Sequence, residues 1–154
     1  MSDNPKVSTK NTRHQGKGVF VKERITKGEV IAVFDGNIYD HKSIWTDELR
    51  NHCIQFERKK WRDSTGIARL INHSCEPNCG IKDSFSVVAM RDIEKGEEIT
   101  WGYEMTEDNL YWRMDCSCGS LSCRKVIGAY KNMPLATRRK YKGYISKWLL
   151  EEYA

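Results

Sequence analysis

Cys116-Ser-Cys118-Gly-Ser-Leu-Ser-Cys123 sets three thiols at the spacing Cys-x-Cys-x4-Cys, in a Gly/Ser-rich stretch with little apolar bulk to bury them. Thiols so spaced are metal ligands in waiting, and a tetrahedral zinc site needs a fourth donor. Roughly forty residues earlier, Arg69-Leu-Ile-Asn72-His73-Ser74-Cys75-Glu-Pro77-Asn78-Cys79 offers Cys75 and Cys79 as candidates, between which spacing alone does not choose. The same segment carries Asn72, whose amide presents donors and an acceptor in fixed geometry, suited to a zwitterionic ligand. Beside it, His73 has two ring nitrogens that can face different partners. Cys53, inside His52-Cys-Ile-Gln-Phe56, reads instead as a small thiol buried in a strand.

Two further blocks can approach a ligand. Gly16-Lys17-Gly18-Val19 is a glycine turn where the backbone itself can come close to a cofactor. Gly96-Glu-Glu98-Ile-Thr-Trp101-Gly102-Tyr103 ends a strand in aromatic side chains. In their order along the chain, these blocks resemble the SET-domain protein lysine methyltransferases with a post-SET zinc motif. The resemblance covers most of the chain from His14 to Gly128.

That resemblance implies an S-adenosylmethionine site at Lys17, Gly18, Val19, Asn72 and His73. It implies a zinc ion (Zn2+) held by Cys75, Cys116, Cys118 and Cys123, which favours Cys75 over Cys79. Tyr103 is the implied catalytic phenol, and Phe34, Tyr39, Trp101 and Tyr103 are expected to wall the lysine channel. Three positions depart from the family's pattern: Phe34 where many members have a tyrosine, Trp101 where they have Phe or Tyr, and Gly102 where they have an acidic residue. The larger indole predicts a narrow channel and monomethylation.

The elements that must position these groups are short. Gly16 to Val21, Glu29 to Phe34, Phe85 to Met90 and Glu98 to Tyr103 read as strands. Thr26-Lys-Gly28 and Glu94-Lys-Gly96 punctuate them, so strand, tight turn and strand occur twice. Ile44 to Arg50 reads as a helix and Cys53 to Phe56 as a strand. Leu135, Tyr141, Ile145, Trp148 and Leu149 fall near helical spacing and predict one amphipathic helix from about Pro134 to Glu152. The resulting division is a flexible arm over 1–12, a SET domain over 13–104, a post-SET zinc-binding segment over 105–131 and a C-terminal helix over 132–154. The fold class is mostly β (α+β): small curled sheets with, by the resemblance, a knot-like core.

With 154 residues, 39% apolar and 31% charged, the chain has the size of one domain and no apolar run long enough to span a bilayer, so no membrane partner is expected. Residues 1–12 are polar and lack the apolar stretch of a secretory signal, which predicts an intracellular, reducing setting: cytoplasm in a bacterium, nucleus or chromatin in a eukaryote, or delivery to a host. Much of the net charge of +5 sits in Arg138-Arg-Lys-Tyr-Lys142, a solvated face or a docking patch. Glu104, Glu107 and Asp108 form an acidic cluster where a basic peptide would pass. The expected partner is a protein or peptide substrate carrying lysine, histone-like or otherwise basic, met by a monomer or weak dimer. The competing expectation is an inactive zinc-stapled module that binds nucleic acid or a protein through its basic end.

Overall fold

The computed structural model describes residues 3–13 and 16–153. Residues 1, 2, 14, 15 and 154, which fall in the expected arm, SET domain and C-terminal segment, lie outside the described residues. Twelve strands are present among those described: β1 (Val7–Asn11), β2 (Lys17–Val21), β3 (Val30–Val33), β4 (Ile38–Asp40), β5 (Ile54–Glu57), β6 (Lys60–Arg62), β7 (Asn72–His73), β8 (Cys79–Lys82), β9 (Ser86–Ala89), β10 (Glu98–Trp101), β11 (Met114–Asp115) and β12 (Val126–Ile127). Three short helices join them: α1 (Asp47–His52), α2 (Leu135–Lys140) and α3 (Lys147–Glu152).

The main sheet runs β1-β2-β10-β8-β9-β3, with β7 also paired to β10. A second sheet has the order β4-β6-β5, and β11 pairs β12. Along β10, Ile99 and Trp101 point into the core while Glu98 and Thr100 are half-buried, the period of two that a strand imposes. Ile25, Ile31, Phe34, Ile81, Val87, Ile93, Ile99 and Leu149 join Trp101 in one apolar core.

The repeated strand-turn-strand units pack against each other. An antiparallel bridge joins Ile25 to Ile93, and the Gly28 and Gly96 N–H groups donate to Ala89 O and Val21 O, both at 2.9 Å. Trp101 of β10 lies in parallel register with both His73 of β7 and Cys79 of β8. This brings the Asn-His-Ser-Cys turn beside the strand that ends in Tyr103.

Three expectations need correction. The arm over 1–12 is not loose where it is described: β1 pairs β2 from Val7↔Val21 to Asn11↔Lys17, and Val7 is buried. Polarity misled because β1 is an edge strand that uses its backbone more than its side chains.

The single C-terminal helix is two helices, α2 and α3. Between them Gly143 takes φ 92°, a left-handed conformation that suits glycine. The connecting backbone bonds to the rest of the fold instead of continuing the helix. Ile81 N–H donates to Tyr144 O at 2.8 Å, Ser146 N–H to Met105 O at 2.9 Å and Lys147 N–H to Asp83 O at 2.8 Å. Periodic apolar residues were real core positions, since Tyr141, Ile145, Trp148 and Leu149 are all buried.

The helix expected over 44–50 starts later, at Asp47, because the side chain of Thr46 caps it by accepting Leu49 N–H at 3.2 Å.

Candidate active site and metal centre

The four sulfur atoms of Cys75, Cys116, Cys118 and Cys123 lie within 4.8 Å of one another. Cys75 Sγ and Cys116 Sγ are 3.8 Å apart, which is about the edge of a regular tetrahedron built on ~2.3 Å zinc–sulfur bonds. Donor type, number and spacing therefore fit a structural zinc ion. Cys79 is not part of the group: it lies in β8 with no exposed surface, and burial pushes its thiol well above the ordinary range. Cys53 is half-buried just before β5, with its thiol pushed up to about 12 by burial.

Arg124 locks the tail onto the turn. Its backbone N–H donates to Cys75 Sγ at 3.4 Å, and its guanidinium bonds the carboxylate of Glu104, which is 2% exposed. Burial raises the Glu104 carboxyl and the Arg124 guanidinium opposes that rise, so the pair holds because its two charges are buried together.

The ring of His73 is committed to the fold. Its Nδ1 accepts the Tyr103 N–H at 3.1 Å, which leaves the proton of the neutral ring on Nε2, facing Cys75 Sγ at 3.5 Å. Burial, with Arg124 nearby, pushes the imidazole down to about 3, so it stays neutral. The ring joins the cysteine turn to the strand end and is not free to hold adenine; only the backbone of His73 is left for a cofactor.

Asn72 forms a polar cradle with the glycine turn. Its Nδ2 donates to Lys17 O at 3.0 Å and to Glu98 Oε2 at 2.9 Å, which leaves its side-chain carbonyl available to an ammonium group. Gly18 is required here, since a Cβ on it would meet Glu98 Oε2 at 2.6 Å and Asn72 Nδ2 at 3.1 Å. Lys17 and Gly18 therefore stand at the cradle with Asn72, whereas the side chain of Val19 is buried in the core.

Tyr103 donates its hydroxyl to Ile71 O at 2.6 Å. Burial and the neighbouring Glu98 raise the phenol above its ordinary range, so it acts as a neutral hydrogen-bonding group and not as a phenolate base. Its ring centroid is 4.9 Å from that of Trp101, which in turn lies 6.2 Å from Phe34. These three rings line a cavity of about 160 Å³ together with Ile71, Trp112 and Glu107.

Tyr39 is not among the residues lining that cavity. It sits in β4, opposite Trp61 and with its ring 5.8 Å from Trp45, where the small sheet gathers its own aromatic residues.

Sequence reasoning missed Glu98, Arg124, Ile71 and Trp112 as parts of the site. Glu98 stood inside the quoted Gly96-Glu-Glu98 block, and Arg124 directly follows the last cysteine. The role of Ile71 is carried by its backbone, which sequence does not advertise.

The sequence profile of the SET domain matches residues 16–104. This chain belongs to the SET-domain family. Histone-lysine N-methyltransferase 2B of Homo sapiens is 30% identical over 131 residues, which are 73% of this chain and 5% of that protein. Histone-lysine N-methyltransferase ash1 of Drosophila melanogaster is 30% identical over 141 residues, 80% of this chain and 6% of that protein. Histone-lysine N-methyltransferase ASHH3 of Arabidopsis thaliana is 28% identical over 147 residues, 84% of this chain and 40% of that protein. This SET domain thus spans a small part of the curated relatives it matches.

Among solved structures, KRYPTONITE in complex with mCHG DNA and SAH superposes with a TM-score of 0.65 at 23% identity, over 78% of this chain and 28% of that one. That likeness establishes the curled SET fold, to which the cysteine cluster and the C-terminal helices are attached. Among the described residues no helix is long and apolar enough to cross a membrane.

Proposed function

We propose that this SET domain is an S-adenosylmethionine-dependent protein-lysine N-methyltransferase acting on a histone-like or other basic protein. The observation that carries the reading is the meeting, beside one zinc-fitting cysteine cluster, of the Asn72 cradle and the aromatic cavity ending at Tyr103. Sequence likeness to histone-lysine methyltransferases supports it. So does the fold of KRYPTONITE, which was solved with SAH and, in a second structure, with an H3(1-15) peptide. Those relatives also favour an intracellular, chromatin-associated setting.

In this reading Lys17 O, Gly18, Asn72 and Glu98 receive the amino-acid end of S-adenosylmethionine, which brings the methyl group on a sulfonium. Methyl transfer is a direct displacement, so the protein's task is alignment, with nitrogen and carbon about 3 Å apart. A lysine with a reference pKa of ~10.4 is neutral in roughly one molecule in 2,500 at pH 7. A positive sulfonium close by disfavours the ammonium and so lowers that pKa. Tyr103 holds Ile71 O, and through it the start of the Asn72 turn, against the channel. Zinc at Cys75, Cys116, Cys118 and Cys123 supplies folding energy to the tail, which closes the cavity with Trp112.

The inactive-module reading loses ground because the basic segment is partly engaged. The Arg138 guanidinium lies 4.7 Å over the Tyr130 ring and donates to Met133 O and Lys131 O. Incubation of the chain with core histones and radiolabelled S-adenosylmethionine, followed by mass spectrometry, tests the proposal. Label on lysine side chains supports it; a folded chain that neither binds S-adenosylmethionine nor transfers label refutes it.

A further inference from the structure

Three carboxyls follow Tyr103 within five residues, and the fold gives them different fates. Glu104 is buried against Arg124. Asp108 faces Arg58 at 3.7 Å and bonds the Tyr153 hydroxyl. Glu107 meets no cation among the described residues; its carboxylate accepts only the Asn109 N–H, at 3.2 Å. Burial pushes it up to about 7, and the neighbouring Asp108 adds to the rise.

Glu107 shares a cavity wall with Phe34, Trp101, Tyr103 and Trp112. The same wall carries Arg50, Arg69, Arg113 and His52, each bonded to groups other than Glu107. Arg50 bonds Asp47 at 3.1 Å, and Arg69 lies 3.1 Å from Glu48 and 3.2 Å from Asp63. Arg113 donates to the carbonyls of Leu110 and Trp112, and His52 donates to Glu48 O at 2.7 Å.

A carboxylate partly withdrawn from water without a counter-ion is costly. Around it stand aromatic faces that attract cations, and the ~160 Å³ of space would hold roughly ten water positions. A primary alkylammonium answers the charge, the aromatic faces and the space at once.

We propose that Glu107 is the ammonium-binding residue of the cavity, pairing with the charged side chain of the incoming lysine as it docks. The inference rests on the methyltransferase reading for the identity of the lysine, and it gives Glu107 a docking role and not that of the base. Its recognition is charge-specific, so a neutral side chain of the same shape gains only the aromatic contacts.

The test uses the full chain, with its indole N–H signals followed by NMR during titration with n-butylammonium chloride and, as the neutral isostere, n-butanol. The expected result is an affinity about 5-fold higher for the cation in the native chain. Glu107→Gln should lose that preference while its butanol affinity and its amide spectrum stay unchanged. Equal affinity for the two ligands, no binding of either, or a preference that survives in Glu107→Gln would overturn the proposal, as would an equal loss for both ligands, the mark of a merely structural role. S-adenosylmethionine binding, measured separately on the native chain, decides the methyltransferase reading independently of this result.

Discussion

The sheet core and the cysteine tail are held by different forces. In the core, aliphatic residues from β1, β2, β3, β8, β9 and β10 pack with Trp148 and Leu149 of α3 in one cluster. The tail's cluster has one fully buried aliphatic residue, Ile127, among Cys75 and Cys116, with Tyr103, Trp112 and Met114 half-buried against it. Burying one such side chain contributes about 1.5–3 kcal/mol, against an ordering cost of ~1–2 kcal/mol for each residue fixed. Structural zinc in a four-thiolate site supplies on the order of 10 kcal/mol or more. The sheet can therefore stand on apolar burial, while the wall that completes the site depends on an ion. On the proposed function, the part placed at risk is the one that would close over cofactor and substrate.

Changes on either side should separate the two regions. Tyr103→Phe is a core-side change that removes one hydroxyl and should reduce kcat about 100-fold; it leaves the buried Ile71 O unpaired, so the melting temperature should fall by the equivalent of ~1–3 kcal/mol and S-adenosylmethionine affinity should weaken with it, as read by calorimetry. A tail-side change, Arg124→Met, strands the buried Glu104 carboxyl and should cost about 3 kcal/mol. Hydrogen exchange should show the loss at 105–131 and not in β8 to β10.

Glu107→Gln has a pH signature. The folded-state pKa of Glu107 is raised to about 7, so the native state binds more protons than the unfolded one between ~4.5 and 7, and stability falls as pH rises through that window. The variant should be more stable than the native chain at pH 8, by about 1 kcal/mol after allowance for the exposed part of the side chain, and equal to it at pH 4, as read by denaturant melts. The smallest effect is expected from Trp101→Phe, which widens the channel beside Phe34. Mass spectrometry of the product should shift from mono- toward dimethyl-lysine, and a native chain that already yields mainly trimethyl product would contradict the narrow-channel reading.

Legibility followed the same division. The strand-turn-strand units were readable because glycine turns and β-branched runs report local backbone needs, and the cysteine spacing announced a metal centre whose ligands the fold gathers. The failures came where tertiary contacts overrule local pattern. Residues 7–11 pair as an edge strand despite their polarity. The helical period of the C-terminus persists across a break because Tyr144 O and the Ser146 N–H bond to the sheet and to Met105. The ring nitrogens of His73 were read as open to different partners, and only the fold shows that these are the Tyr103 N–H and Cys75 Sγ. Glu107 was read with Glu104 and Asp108 as one acidic cluster, and only the cavity distinguishes it from them.

The claim that an ion-held tail completes a site built on a self-sufficient sheet is tested most directly by removing the metal. Zinc content should be measured before and after exhaustive chelation, with calorimetry of S-adenosylmethionine binding and far-UV circular dichroism on the same samples. The account predicts one zinc per chain at the outset, then at least a 10-fold weaker Kd and no methyl transfer once it is gone, with the β-sheet signal retained. A metal-free chain that binds and transfers as well as before would contradict it, and so would a sheet that unfolds together with the tail.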